Sequence, residues 1–182
     1  MTKFASVVVL FVVIMLSANA SAQTTGFAEV QFHVVDGQLS TTMDASTDTK
    51  LGGGWSLQSW TLKSAGWSEL QIGIGKSLAS WASVSASVGI EESDGLWRTG
   101  YSLWLGGRGK SALVLYELGD SGYWLKIVAT QQIRKSLKVG VLSQRFVGTG
   151  PYAEVKLGQL KVWATVPVVD GKGVLTGVRM FF

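Results

Sequence analysis

"WASVSASVGI" (81–90) puts Ala82, Val84, Ala86, Val88 and Ile90 on one side of an extended chain and Ser83, Ser85, Ser87 and Gly89 on the other. Strict alternation over that length is the signature of a β-strand with one apolar and one polar face. The same reading holds outward in both directions. "ELQIGIG" sets Leu70, Ile72 and Ile74 against Glu69, Gln71 and Gly73, and "GFAEVQFHVV" sets Ala28, Val30, Phe32 and Val34 against Glu29, Gln31 and His33. "YAEVKLG" opposes Ala153, Val155 and Leu157 to Glu154, Lys156 and Gly158. "LKVWATVPV" places Leu160, Val162, Ala164, Val166 and Val168 on one face, and the closing "GVLTGVRMFF" (173–182) sets Val174, Thr176, Val178, Met180 and Phe182 opposite Gly177 and Arg179.

Turn chemistry separates these runs. Asp36-Gly37, Asp94-Gly95, Asp120-Ser121-Gly122, Gly148-Thr149-Gly150 and Asp170-Gly171 are hairpin signals. The breaks predict twelve strands, at about 27–35, 38–45, 54–63, 67–76, 80–90, 96–106, 111–118, 122–131, 136–146, 152–158, 160–169 and 173–182. The polar, Gly-rich "DASTDTKLGGG" (44–54) reads as a longer loop, and ten or eight strands are the alternatives if weaker segments fail to form. No helix signal of useful length follows residue 22.

The N-terminus reads as a secretory signal. Lys3 supplies the positive n-region, "ASVVVLFVVIML" (5–16) is an apolar stretch too short to span a bilayer, and Ala20-Ser21-Ala22 fits small-x-small cleavage. The expected organisation is a signal peptide at 1–22 and one β-domain at 23–182. Cleavage removes Lys3 alone among the charged residues, leaving 15 Lys and Arg against 12 Asp and Glu. The net charge of +3 is modest and scattered, which argues against nucleic acid as a partner. No cysteine is present, so the export of a lipoprotein through a lipidated Cys is excluded and disulfides cannot supplement a thin core.

Two architectures bury one face of so many hairpins. A soluble sandwich or barrel turns the apolar face inward, whereas a membrane barrel turns it outward to lipid. The middles of the apolar faces lack Lys, Arg, Asp and Glu; Lys76 and Arg145 share those faces but fall at strand ends, where a long side chain reaches the interface. The polar face is rich in Gly and Ser with charges of both signs, which suits an enclosed lumen better than a freely solvated surface. Trp67, Trp81, Trp97, Tyr123, Tyr152 and Phe182 fall at or near strand ends, as aromatic girdles at a membrane interface require.

The closing strand, with Val174, Val178, Met180 and a terminal Phe182, resembles the C-terminal assembly signal of bacterial outer-membrane β-barrel proteins of the porin-like kind; Thr176 is the weakest member of the match. The resemblance is close over the last ten residues and extends over the rest of the chain as a pattern. It implies a closed antiparallel up-and-down transmembrane barrel whose last strand pairs with the first. It further implies outer-membrane localisation, lipid as a partner, and a barrel-assembly machinery that reads the terminal aromatic.

The expected function is a small pore for small polar solutes. A plugged structural barrel and a soluble exported barrel binding an apolar ligand are the alternatives. Candidate lumen-lining residues are Glu29, His33, Glu69, Arg98, Lys126, Lys138, Glu154, Lys156, Lys161 and Arg179. With Lys63, Asp44 and Glu117 added, the polar face carries seven cations and five acids, an excess that predicts weak anion preference. The lone His33 lacks the serine two residues away that lipid-hydrolysing barrels use, leaving Asp36 as its one nearby acid, so no enzyme is expected. One His and no Cys make a metal centre unexpected, and no cofactor is implied. "GGRGKS" (106–111) lacks the full phosphate-loop spacing and reads as a turn.

Overall fold

The computed structural model describes residues 24–182; the signal peptide expected at 1–22 lies outside the described residues. Twelve strands form the chain: β1 (Thr24–Val35), β2 (Gln38–Gly52), β3 (Trp55–Ser64), β4 (Trp67–Ala79), β5 (Ala82–Glu91), β6 (Trp97–Gly107), β7 (Lys110–Gly119), β8 (Gly122–Arg134), β9 (Leu137–Gln144), β10 (Gly148–Leu157), β11 (Leu160–Thr165) and β12 (Val174–Phe181). Each pairs antiparallel with its sequence neighbours, and β12 closes the barrel on β1. In the seam Val30 opposes Val178 and Glu29 opposes Arg179. Gly26 and Phe182 exchange two backbone hydrogen bonds, at 2.9 and 3.1 Å. Closure leaves no open edge, so the backbone is satisfied without water or disulfides.

An even strand count brings Thr24 and Phe182 to one end, here called the near rim. Its turns are all of two residues, such as Arg108-Gly109, whereas connections at the far rim extend to eight residues at 166–173. Asp36 and Gly37 both have positive φ (50° and 77°), the conformation that a two-residue hairpin matched to strand twist demands. Arg108 and Gly109 do the same at 51° and 77°, so "GGRGKS" is a tight turn.

Three boundaries differ most from those expected. β10 begins at Gly148 rather than 152, so Gly148-Thr149-Gly150, expected as a turn, lies in the strand and pairs with Gln144, Ser143 and Leu142. β2 runs through the supposed loop to Gly52, because its polar groups find partners on β3: Thr47 and Ser59 hydroxyls meet at 2.7 Å, and Asp48 accepts hydrogen bonds from Ser56 (2.9 Å) and Gln58 (2.7 Å). β11 stops at Thr165 rather than 169, since Pro167 offers no N–H to the ladder. Pairing resumes one residue out of step, with Val169 against Thr149.

The apolar face points outward. Ile72, Ile74, Val88, Ile90, Leu103, Val141, Val155 and Met180 lie on this face and are 37–62% exposed. The buried residues are mostly on the polar face, including Glu29, Gln31, Glu69, Gln71, Arg98 and Lys126. This inversion of the usual inside-out order excludes the soluble core arrangement, in which the apolar face is the buried one.

Candidate functional site: the barrel interior

Directly paired residues share a face of the sheet, so the register fixes what the interior contains. Lys156 opposes Lys161, Lys161 opposes Arg179, Arg179 opposes Glu29, and Glu29 opposes Asp44. The row continues through Leu62 to Glu69 and Glu91. Three cations are thus followed around the wall by four acids, interrupted once by a leucine.

The first cluster lies at mid-barrel. Glu29 is 2% exposed; its Oε1 accepts from Gln31 Nε2 (2.8 Å) and its Oε2 from Trp163 Nε1 (2.9 Å) and Arg179 Nε (2.5 Å). Gln31 Nε2 also donates to Asp44 Oδ2 at 2.6 Å. Trp163 lies flat enough for this because β12 presents Gly177 beside it; a Cβ there would sit 2.5 Å from the indole. Lys126 reaches from β8 to 5.4 Å above the Trp163 ring and is buried.

The second cluster lies toward the far rim. Arg98 Nε donates to Glu117 at 2.7 Å and Nη1 to Glu91 at 2.5 Å. Glu69 Oε2 is also 2.7 Å from Nε, but that single N–H points at Glu117, so the Glu69 oxygen gains charge proximity without a hydrogen bond. Glu91 is held further by the Ser121 N–H (2.7 Å) and hydroxyl (3.0 Å). Gly119 leaves the room: a Cβ there would fall 2.7 Å from the Glu91 carboxylate.

All ten candidate interior residues lie on the inward face, though in different settings. Glu29, Glu69, Arg98, Lys126 and Glu154 are buried, Lys138, Lys161, Arg179 and His33 are partly open, and Lys156 is exposed. His33 stands near the far rim with Nε2 3.4 Å from the Lys172 carbonyl, and Asp36 is not its partner. The assembly-signal residues Val174, Val178, Met180 and Phe182 lie on the outer face, 37–51% exposed. Thr176, the weak member, satisfies its hydroxyl by donating to the Trp163 carbonyl at 2.7 Å.

Three expectations need correction. Lys63 faces outward, because it pairs beside Met43 on the outer face, and its ammonium lies 3.6 Å from Glu92 at the far rim. Asp48 and Glu91 face inward, so seven acids balance Arg98, Lys126, Lys138, Lys156, Lys161, Arg179 and, at the near rim, Lys50. The net-charge ground for anion preference therefore disappears. Trp67 and Tyr152 point inward, so four of the six expected rim aromatics, Trp81, Trp97, Tyr123 and Phe182, are outward and 47–60% exposed.

The interior is also less polar than alternation implied. Leu142, Val147, Tyr152, Trp163 and Leu175 form a buried apolar cluster with Val128 against it. Glu91 had a legible signal, being in phase with Ser83, Ser85 and Ser87. Trp163 was in phase with Lys161 in the same way; its partners were not legible, since Glu29 is 134 residues away.

No protein-family model matches this chain, and no curated protein sequence does. Among solved structures it is similar to a KdgM porin, with a TM-score of 0.57 at 11% identity, covering 86% of this chain and 98% of that one. A NanC porin aligns with a TM-score of 0.48 at 10% identity over 85% and 97% of the two chains. A triple mutant of the Rhodopseudomonas blastica porin aligns with a TM-score of 0.42 at 10% identity over 87% and 99%. At these identities the likeness is one of fold: a closed antiparallel barrel of the porin type.

Proposed function

We propose that this chain is an outer-membrane channel for small polar solutes, exported by its N-terminal signal and acting as a conduit rather than an enzyme. The observation that carries the reading is the inverted barrel: an apolar outer face and a charged, hydrogen-bonded interior within a porin-type fold. Lipid is the partner that the outer face calls for, since exposed aliphatic side chains are costly in water and stable in hydrocarbon. The exposed Val174, Val178, Met180 and Phe182 are the surface through which assembly machinery would read the last strand.

One observation favours a second reading, a barrel closed by its own side chains. Glu29, Gln31, Asp44, Lys126, Leu142 and Trp163 are each at most 8% exposed, so water barely touches the interior at that level. Planar-bilayer recordings of the purified barrel separate the two readings. The channel reading expects a small ion conductance that rises several-fold in Lys126→Ala/Trp163→Ala, with weak ion selectivity because interior charges balance. Zero conductance in both correctly folded proteins would establish the closed structural barrel instead.

A further inference from the structure

Charge is divided between the two rims. Among the described residues, the five near-rim connections carry Arg108 and Lys135 and no acid. The far-rim connections carry five acids, Asp36, Glu92, Asp94, Asp120 and Asp170, against two cations, Arg145 and Lys172. Arg108 and Lys135 stand on adjacent turns that are tied together. The Gln132 N–H donates to the Gly109 carbonyl at 2.7 Å, and the Gln132 side-chain amide donates to the Lys135 carbonyl at 3.4 Å. Lys110 follows the first turn on the outward face, opposite Gln131. All three cations are exposed, and none forms an ion pair among the described residues.

An apolar hollow of about 660 Å³ lies beside them on the outer wall. Ala112 and Ala129 oppose each other and form its floor, with Leu105 and Val141 next to them in the same row. Trp81 and Val139 complete the walls, and Lys110 and Gln131 make its rimward edge. The Trp81 carbonyl accepts from the Gly106 N–H at 2.8 Å, which holds this turn beside β6; the residue is 60% exposed. The next row of the outer wall is built from the larger Leu103, Val114 and Ile127, so the two alanines leave a depression against lipid.

We propose that this hollow holds an anionic phospholipid, with its phosphate at Lys110, Arg108 and Lys135 and the headgroup-proximal part of an acyl chain over Ala112 and Ala129. An apolar floor that ends in uncompensated cations matches a molecule that joins a hydrocarbon chain to a phosphate. Basic side chains at the edge of a bilayer attract anionic headgroups, and tryptophan favours the same level. The chain gains close contacts by filling the depression. The far-rim connections, with their excess of acid, offer no such match. The assignment rests on the membrane-spanning part of the functional reading and is independent of conduction.

The test reconstitutes the folded barrel in phosphatidylcholine vesicles and adds dibrominated phosphatidylglycerol, a quencher of tryptophan fluorescence, with dibrominated phosphatidylcholine as the zwitterionic control. The contribution of Trp81 is the difference between the wild type and Trp81→Phe. Phosphatidylglycerol should half-quench it at a mole fraction about fivefold lower than phosphatidylcholine does. In Arg108→Gln/Lys110→Gln/Lys135→Gln the two mole fractions should coincide, while heat-modifiable migration shows the barrel still folded. Ala112→Leu/Ala129→Leu, which fills the hollow and keeps the cations, should also remove most of the preference. Equal quenching by the two lipids in the wild type, or an unchanged preference in either variant, overturns the site and leaves the membrane reading intact. Displacement of the brominated phosphatidylglycerol by glycerophosphoglycerol, the same headgroup without chains, would mark a site for soluble anions and overturn the lipid. No quenching of any tryptophan by either lipid removes the membrane reading and the site with it.

Discussion

Arg98 and Lys156 both place a cation on the inner wall of the same barrel, and the two surroundings are opposites. Arg98 is 5% exposed and held by Glu69, Glu91 and Glu117. Lys156 is exposed, faces Lys161, and has no carboxylate within ion-pairing distance among the described residues. A buried charge must be compensated at once, because its desolvation cost is large and is offset only by close partners. An exposed charge near the rim keeps its hydration and needs no such partner. The far and middle parts of the interior are therefore built as structure, and the near-rim part is built as a surface.

The contrast is most exposed to failure at Arg98. Arg98→Ala leaves three buried carboxylates facing one another, and losing one partner of a buried charge network costs about 3–5 kcal/mol. Heat-modifiable gel migration should show a large drop in the temperature at which the barrel opens; an unchanged transition would mean that the cluster is not structural. Glu29→Gln comes next. It keeps the shape but removes the charge from Arg179, and weakens the acceptor for Trp163 and Gln31, at about 1–3 kcal/mol. The same variant should raise bilayer conductance if this network closes the middle of the barrel. The smallest effect belongs to Lys156→Gln, which removes the like-charge pair with Lys161 and should leave stability unchanged or raise it by about 0.2–1 kcal/mol. A clear loss of stability there would erase the distinction between the two regions.

Much of this architecture was legible in the chain itself. Period two is a local property, so "WASVSASVGI" already separates Val84 from Ser85, and the same phase carries through Glu69, Glu154 and Arg179 to the inward face. Turn residues were equally direct, because Asp36-Gly37 needs positive φ at both positions. Boundaries were less so. The polar run ending in Gly52 looked like a loop until β3 supplied partners for Thr47 and Asp48, and Pro167 stopped β11 earlier than alternation implied. Lys63 and the inward aromatics were misplaced for a related reason: near a strand end, residue type alone does not reveal phase.

What the sequence determined, then, is which residues share a face, since each peptide unit reverses the side-chain direction whatever the rest of the chain does. Charge placement and the closing strand pointed to the polar face as the inner one, but the pairings across the interior were not legible. Those depended on closure, which sets β12 against β1 and brings Trp163 and Arg179 onto Glu29 across more than a hundred residues. Closure also buries Lys126 over Trp163 at mid-barrel, whereas hairpin pairing of β9, β10 and β11 is enough to set Lys138, Lys156 and Lys161 near one rim. Along the chain these four lysines look alike. Depth within the barrel makes one a packed interior strut and leaves the other three near the rim, partly or fully exposed.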